Sequence, residues 1–232
     1  MKLGLLADIH EDVERLGLAL DILRRQSVDH IVVLGDVFDT GKRLAETAAL
    51  LADVGAVGVW GNHDLGLCHE PDGRVRARYA GPALDFLGTL RPRLELAGCL
   101  FTHGLPCWDA TDPTVYYLGA RPETAEGLAE GFQAFSGRVA FIGHFHRWLA
   151  ATPEGCLPWG GSEPLLLAPG QRYLVVVAAV CDGWCGSFDT TEGQLTPCSL
   201  RNPVAHSSTT PLNWPPSEEL WKDRKPPSKG NE

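Results

Sequence analysis

Residues 2–36, KLGLLADIHEDVERLGLALDILRRQSVDHIVVLGD, hold two short apolar runs separated by one amphipathic segment. Residues 2–7 read as a strand buried on both faces, because their apolar residues run on without a polar partner at every second position. Over 11–26, Val13, Leu16, Leu20 and Leu23 recur at helical spacing, with acids in the first turn and arginines in the last, the order that the helix dipole favours. Residues 30–35 are the next strand. Continuing outward, 42–54 (KRLAETAALLADV) is a second helix and 56–61 (AVGVWG) a third strand. This βαβαβ order predicts an α/β fold with parallel pairing and helices packed on the sheet.

The remainder follows the same logic. Residues 98–104 (GCLFTHG) and 138–144 (RVAFIGH) are strand-like, and 122–135 (PETAEGLAEGFQAF) is a helix interrupted by two glycines. Residues 172–183 and 186–200 read as a closing antiparallel hairpin or meander. Arg74, Arg76 and Arg78 alternate as on one face of an extended, solvated edge. After about residue 200 the chain becomes rich in Pro and Ser, so we expect one domain over 1–200 and a flexible tail over 201–232.

Twenty Lys and Arg against 29 Asp and Glu give a net charge of -9, which argues against a broad footprint for nucleic acid or an anionic membrane. No apolar stretch approaches membrane-spanning length, and Asp8 falls too early for a secretory signal, so the expectation is a soluble cytoplasmic protein. Seven cysteines, an odd number without a CxxC pair, do not form a disulfide framework. Cys181 and Cys185 in CDGWC lack the second ligand pair that a zinc knuckle needs.

Each strand-like run up to residue 146 ends in residues able to bind a metal. Asp8 and His10 follow the first, Asp36 the second, Asn62 and His63 the third, His103 the fourth, and His144 and His146 the fifth. Ligands of open α/β sheets bind beyond the carboxyl ends of the strands, so these side chains converge on one edge. Two carboxylates, an amide oxygen and several imidazoles suit first-row transition ions such as Mn, Fe, Zn or Ni. Asp8 with His10, and His144 with His146, are spaced i, i+2 and can chelate as two facing pincers. Glycines 35, 61 and 143 sit where the strands turn into these loops.

The motifs DIH, GDVFD, GNHD, THG and GHFH, in this order over 8–146, resemble the five blocks of the calcineurin-like metallophosphoesterase superfamily. The resemblance implies two mixed β-sheets packed as a sandwich, flanked by helices, with a dinuclear centre at the sheet edge. It gives one ion to Asp8, His10, Asp36 and His146, and the other to Asp36, Asn62, His103 and His144, with Asp36 as the bridge. It makes His63 the group that contacts the phosphate and protonates the leaving oxygen, and Asp64 the acid that orients it. Two ions about 3.5–4 Å apart would share the attacking hydroxide and clamp the phosphoryl oxygens.

Departures from the family pattern narrow the expectation. Glu11 and Asp12 follow the first histidine and are expected to make the entrance acidic. Thr40 and Leu65 stand where protein phosphatases carry arginines, with Lys42 or Arg43 the available substitutes. Trp108, Tyr116 and Tyr117 can stack on a nucleobase or aromatic leaving group, or can anchor their loop to the core. His30 and His69 fit no motif and are read as surface or structural. The expected function is a metal-dependent phosphoesterase, with manganese the first candidate ion, acting on phosphodiesters or phosphomonoesters of small molecules or nucleotides. The alternative is a non-catalytic interaction module on the same fold.

Overall fold

Strand β1 (Lys2–Leu6) sends Leu3 and Leu5 into one apolar layer and Leu6 into another, which is why this run lacks polar alternation. The structure is a computed structural model and describes residues 1–201. Helix α1 (Val13–Arg25) starts two residues later than the sequence suggests, because the Asp12 carboxylate accepts the amide of Arg15 and caps it. Strand β2 (His30–Leu34), helix α2 (Leu44–Asp53) and strand β3 (Val57–Val59) complete the expected βαβαβ unit, with β1, β2 and β3 paired in parallel.

Three short helices follow, α3 (Leu65–Cys68), α4 (Gly73–Tyr79) and α5 (Pro82–Leu87). Helix α4 replaces the extended segment expected from alternating arginines: the Asp72 side chain accepts the amides of Arg74 and Val75, and Tyr79 packs edge-on against Phe38. Local capping outweighs the alternation of charge.

Strands β4 (Leu94–Leu96) and β5 (Cys99–Thr102) open the second sheet. After helices α6 (Val115–Leu118) and α7 (Ala125–Gln133) come β6 (Val139–Ile142), β7 (Leu149–Thr152), β8 (Gly155–Cys156), β9 (Leu165–Leu166), β10 (Tyr173–Val176), β11 (Trp184–Asp189) and β12 (Gln194–Ser199). One sheet has the order β3-β2-β1-β11-β12-β9 and the other β4-β5-β6-β10-β7-β8. Both mix parallel and antiparallel neighbours. The sandwich with flanking helices is therefore present, but the closing hairpin is β11 and β12 alone. Residues 173–176 instead pair with β6 and β7 in the opposite sheet, and 177–183 cross between sheets.

Between the sheets lie Leu3, Leu5, Val32, Leu34, Phe101, Phe141, Val175 and Phe188, all fully buried or nearly so. Each such side chain contributes about 1.5–3 kcal/mol by leaving water. Helices α1, α2 and α5 cover the first sheet, and α7 covers the second. Gly4 in β1 admits α1, since a Cβ there would come within 2.9 Å of Leu23 and Ile31. No helix among the described residues is long and apolar enough to cross a membrane. The expected tail, apart from Arg201, lies outside the described residues.

Candidate metal centre

The parallel strands of both sheets deliver their carboxyl ends to one edge. Backbone bonds tie the loops together there: Asp8 N–H donates to Gly35 O, Gly143 N–H to His103 O, and Cys181 N–H to Asp8 O. Five of the nine non-glycine residues with left-handed φ among the described residues are Asp8, His10, Asp36, His144 and His146, at 48° to 66°. Side chains held in this region cost on the order of 1–3 kcal/mol each and persist where the surroundings over-determine them. Gly61 is required at its position, because a Cβ would collide with the Asp36 carboxylate.

Asp36 is central to this edge. Its Oδ2 lies 3.4 Å from His103 Nε2 and 3.7 Å from His10 Nε2, while its Oδ1 accepts the His63 amide at 2.9 Å. His103 donates from Nδ1 to Leu34 O at 2.6 Å, so Nε2 faces Asp36 and Asn62 Oδ1, the latter at 3.1 Å. His144 bonds through Nε2 to Tyr116 O at 2.9 Å, and its amide donates to both Asp8 oxygens at 3.1 Å. His146 turns Nε2 toward Asp8 Oδ1, 3.6 Å away, and Nδ1 toward Asp182 Oδ2, 3.0 Å away. Donor atoms of His10, Asp36 and His63 lie within 4.8 Å of one another, as do those of Asp36, His103 and His144. Two donor groups sharing one carboxylate fit a pair of divalent ions.

A family model described as the calcineurin-like phosphoesterase superfamily domain matches residues 1–175. The chain belongs to that superfamily. This calcineurin-like phosphoesterase is 31% identical over 191 residues to an uncharacterized protein of Methanocaldococcus jannaschii, covering 74% of this chain and 70% of the relative. A metallophosphoesterase from Sphaerobacter thermophilus superposes with a TM-score of 0.67 at 23% identity, over 86% of this chain and 88% of that one. A solved archaeal phosphodiesterase superposes at 0.51 and 14% identity, over 86% and 100% of the two chains. At these identities the structures speak for the fold.

Burial dominates the electrostatics of this phosphoesterase's edge. It pushes the fully buried Asp8 carboxyl up to about 7 against the pull of His103. It opposes ionisation of Asp36 too, but His103 outweighs it and holds that carboxyl well below the usual range. For His103, burial would lower the pKa, yet Asp36 and Asp8 raise it to about 9. His144 is lowered to about 4 by burial and by the neighbouring His103. Thus, without ions, Asp8 and His103 hold protons that coordination has to displace.

Several expectations are corrected by the geometry. Glu11 does not acidify the entrance: it is buried and accepts the amides of Asp39, Gly41 and Arg43, fixing the loop after Asp36. Asp12 caps α1 and pairs with Arg15. Arg43 bonds Glu14 and Glu46, which takes it out of consideration as a phosphate grip. Asp64 does not orient His63 directly; its buried carboxylate accepts the amides of Gly61, Val37 and Phe38. Burial and Asp36 together push its pKa up to about 6.

Tyr116 is buried against His103 and His144, and the Trp108 ring meets Tyr116 and His144 edge-on, so both serve as packing behind the histidines. Tyr117 is 76% exposed and remains open to solvent. His63 is exposed, its ring 4.7 Å from that of His10. His69 stacks on Trp60, and Cys185, a free thiol, sits opposite the free thiol of Cys198 in the register of β11 and β12.

Cys181, which the sequence offers only as a zinc-knuckle partner of Cys185, and Asp182, which it does not single out, stand at this edge where the chain leaves the β10 region. The signal was present: residues 173–180 are a sixth apolar run that also ends in metal-binding residue types.

Proposed function

We propose that this protein is a dinuclear metal-dependent phosphoesterase that hydrolyses phosphodiesters, in preference to monoesters, of small molecules or nucleotides. The observation that carries this reading is Asp36 Oδ2, positioned between His10 on one side and His103 on the other. Asp8, His10, Asp36 and His146 would hold one ion, and Asp36, Asn62, His103 and His144 the other. The oxygen and nitrogen donors make manganese the first candidate, with iron, zinc or nickel as substitutes. When bound, such ions polarise phosphoryl oxygens and acidify a water for in-line attack.

The residues of this chain supply the rest. His63, exposed at the rim and fixed through its amide to Asp36, donates a proton to the leaving oxygen. Asp64 acts as a positioning residue, holding the Gly61 turn that presents Asn62 and His63. The engagement of Arg43 by two glutamates supports diesters over dianionic monoesters, because a dianion calls for a free guanidinium grip. The ends of the carboxylate-lined strands and the net charge of -9 disfavour stable nucleic-acid binding. Seven free cysteines suit a reducing compartment such as the cytoplasm.

The test is hydrolysis of bis(p-nitrophenyl) phosphate and p-nitrophenyl phosphate by ion-stripped protein reloaded separately with Mn, Ni, Zn and Mg. Ion-dependent release, faster from the diester, is expected. Protein that binds no ion, or release indifferent to added ions, overturns the proposal, and faster release from the monoester overturns the diester assignment.

A further inference from the structure

Cys181 lies in direct reach of two of the histidines. One donor atom from each of His10, His146 and Cys181 fall within 4.8 Å of one another, and the thiol also lies 3.9 Å from His146 Nδ1, the nitrogen that bonds Asp182. A sulfur and a nitrogen on one tetrahedral zinc-type ion stand roughly 3.6 Å apart, given bond lengths of about 2.3 and 2.1 Å. Closing this group therefore takes at most about 1.2 Å for its widest pair.

The backbone of Cys181 is pinned on one side to the loop that carries Asp8 and His10 and on the other to helix α1. Its N–H donates to Asp8 O at 3.2 Å, and its carbonyl accepts from the Arg15 guanidinium at 2.7 Å. Arg15 is in turn held by Asp12 at 2.6 Å. The thiol is half-buried, and His146 is exposed.

We propose that Cys181 closes the His10–His146 position as a thiolate ligand and biases that position toward thiophilic divalent ions, zinc foremost, over manganese. This inference rests on the two-ion reading above and alters its choice of ion at one position only. The other position, built from Asp36, Asn62, His103 and His144, has no thiol in its donor group and keeps its oxygen and nitrogen character.

Cobalt(II) is the probe, because a thiolate on cobalt gives a charge-transfer absorption in the near ultraviolet that imidazole and carboxylate donors do not give. The ion-stripped full chain is loaded with cobalt, its metal content measured and its spectrum recorded beside Cys181→Ser and Cys156→Ser, the latter an exposed thiol on β8. The expected result is two cobalt ions per chain with the band present, retained in Cys156→Ser and lost in Cys181→Ser. In competition, zinc should displace manganese from the wild-type protein more readily than from Cys181→Ser. Two bound cobalt ions without the band, or a band that survives in Cys181→Ser, overturns the thiolate assignment and leaves the two-ion site standing. Failure to bind cobalt at all overturns both.

Discussion

The Asp182 carboxylate accepts the Nδ1–H of His146 at 3.0 Å and thereby turns Nε2 of that ring toward Asp8. A carboxylate behind a ligating histidine fixes its tautomer and raises its basicity. Replacing Asp182 with alanine is expected to weaken ion binding by about 10–100-fold, with Asp182→Asn intermediate because it keeps an acceptor. Chelator competition reads the affinity directly. Equal affinities in all three proteins would remove Asp182 from the site.

His63 as proton donor predicts a dependence on the leaving group. His63→Ala should slow hydrolysis of an alkyl ester on the order of 10²–10⁴-fold, and a nitrophenyl ester much less, since nitrophenolate departs without protonation. Parallel turnover measurements on the two esters check this. Equal losses on both would make His63 a group that holds the substrate rather than one that protonates it.

Ion binding should release protons. Coordination requires Asp8 ionised and His103 Nε2 bare, while the ion-free protein keeps these protons up to about 7 and about 9. Both pKa values are raised, so the competing proton is present at low pH and leaves as pH rises. Affinity should therefore climb through pH 7 and continue toward 9. His144, already lowered to about 4, adds nothing in that window. Calorimetric titration in two buffers of different ionisation enthalpy counts the protons; an affinity flat between pH 6 and 9 would contradict the assignment of these ligands.

Phe101 is fully buried between the sheets and stacks on Phe141 with centroids 5.5 Å apart. Phe101→Ala should destabilise the fold by about 3–5 kcal/mol, seen as a lower urea midpoint. An unchanged denaturant slope would assign the loss to the folded state rather than to a change in the unfolded ensemble.

The two-sheet sandwich and the gathering of the candidate side chains at one edge were both legible in the sequence. The donor residues were legible because each ends an apolar run, and parallel strands must bring such ends to one edge. Residues 173–176 read as part of the hairpin because a run of valines shows burial without showing which sheet provides it. Helix α4 is not legible because its Asp72 cap is a side-chain contact, whereas its arginines show no apolar periodicity. Glu11 follows a related rule: an acid next to a candidate ligand looks like an entrance charge until the loop at 39–43 folds back to offer three amides. Contacts between segments distant in sequence decide such cases, and local pattern does not contain them.

In the proposed two-ion centre, the left-handed backbone at Asp8, His10, Asp36, His144 and His146 sets ion capture against heat resistance. Glycine enters that conformation freely, so exchanging any one of these residues for glycine relieves roughly 1–2 kcal/mol of backbone strain while deleting a donor. In the ion-free chain, His10→Gly should therefore melt higher than His10→Ala, even though both have lost the imidazole. Most changes at these positions that ease folding also dismantle the centre, so thermal selection without demand for hydrolysis would erode this edge before it touched the cores.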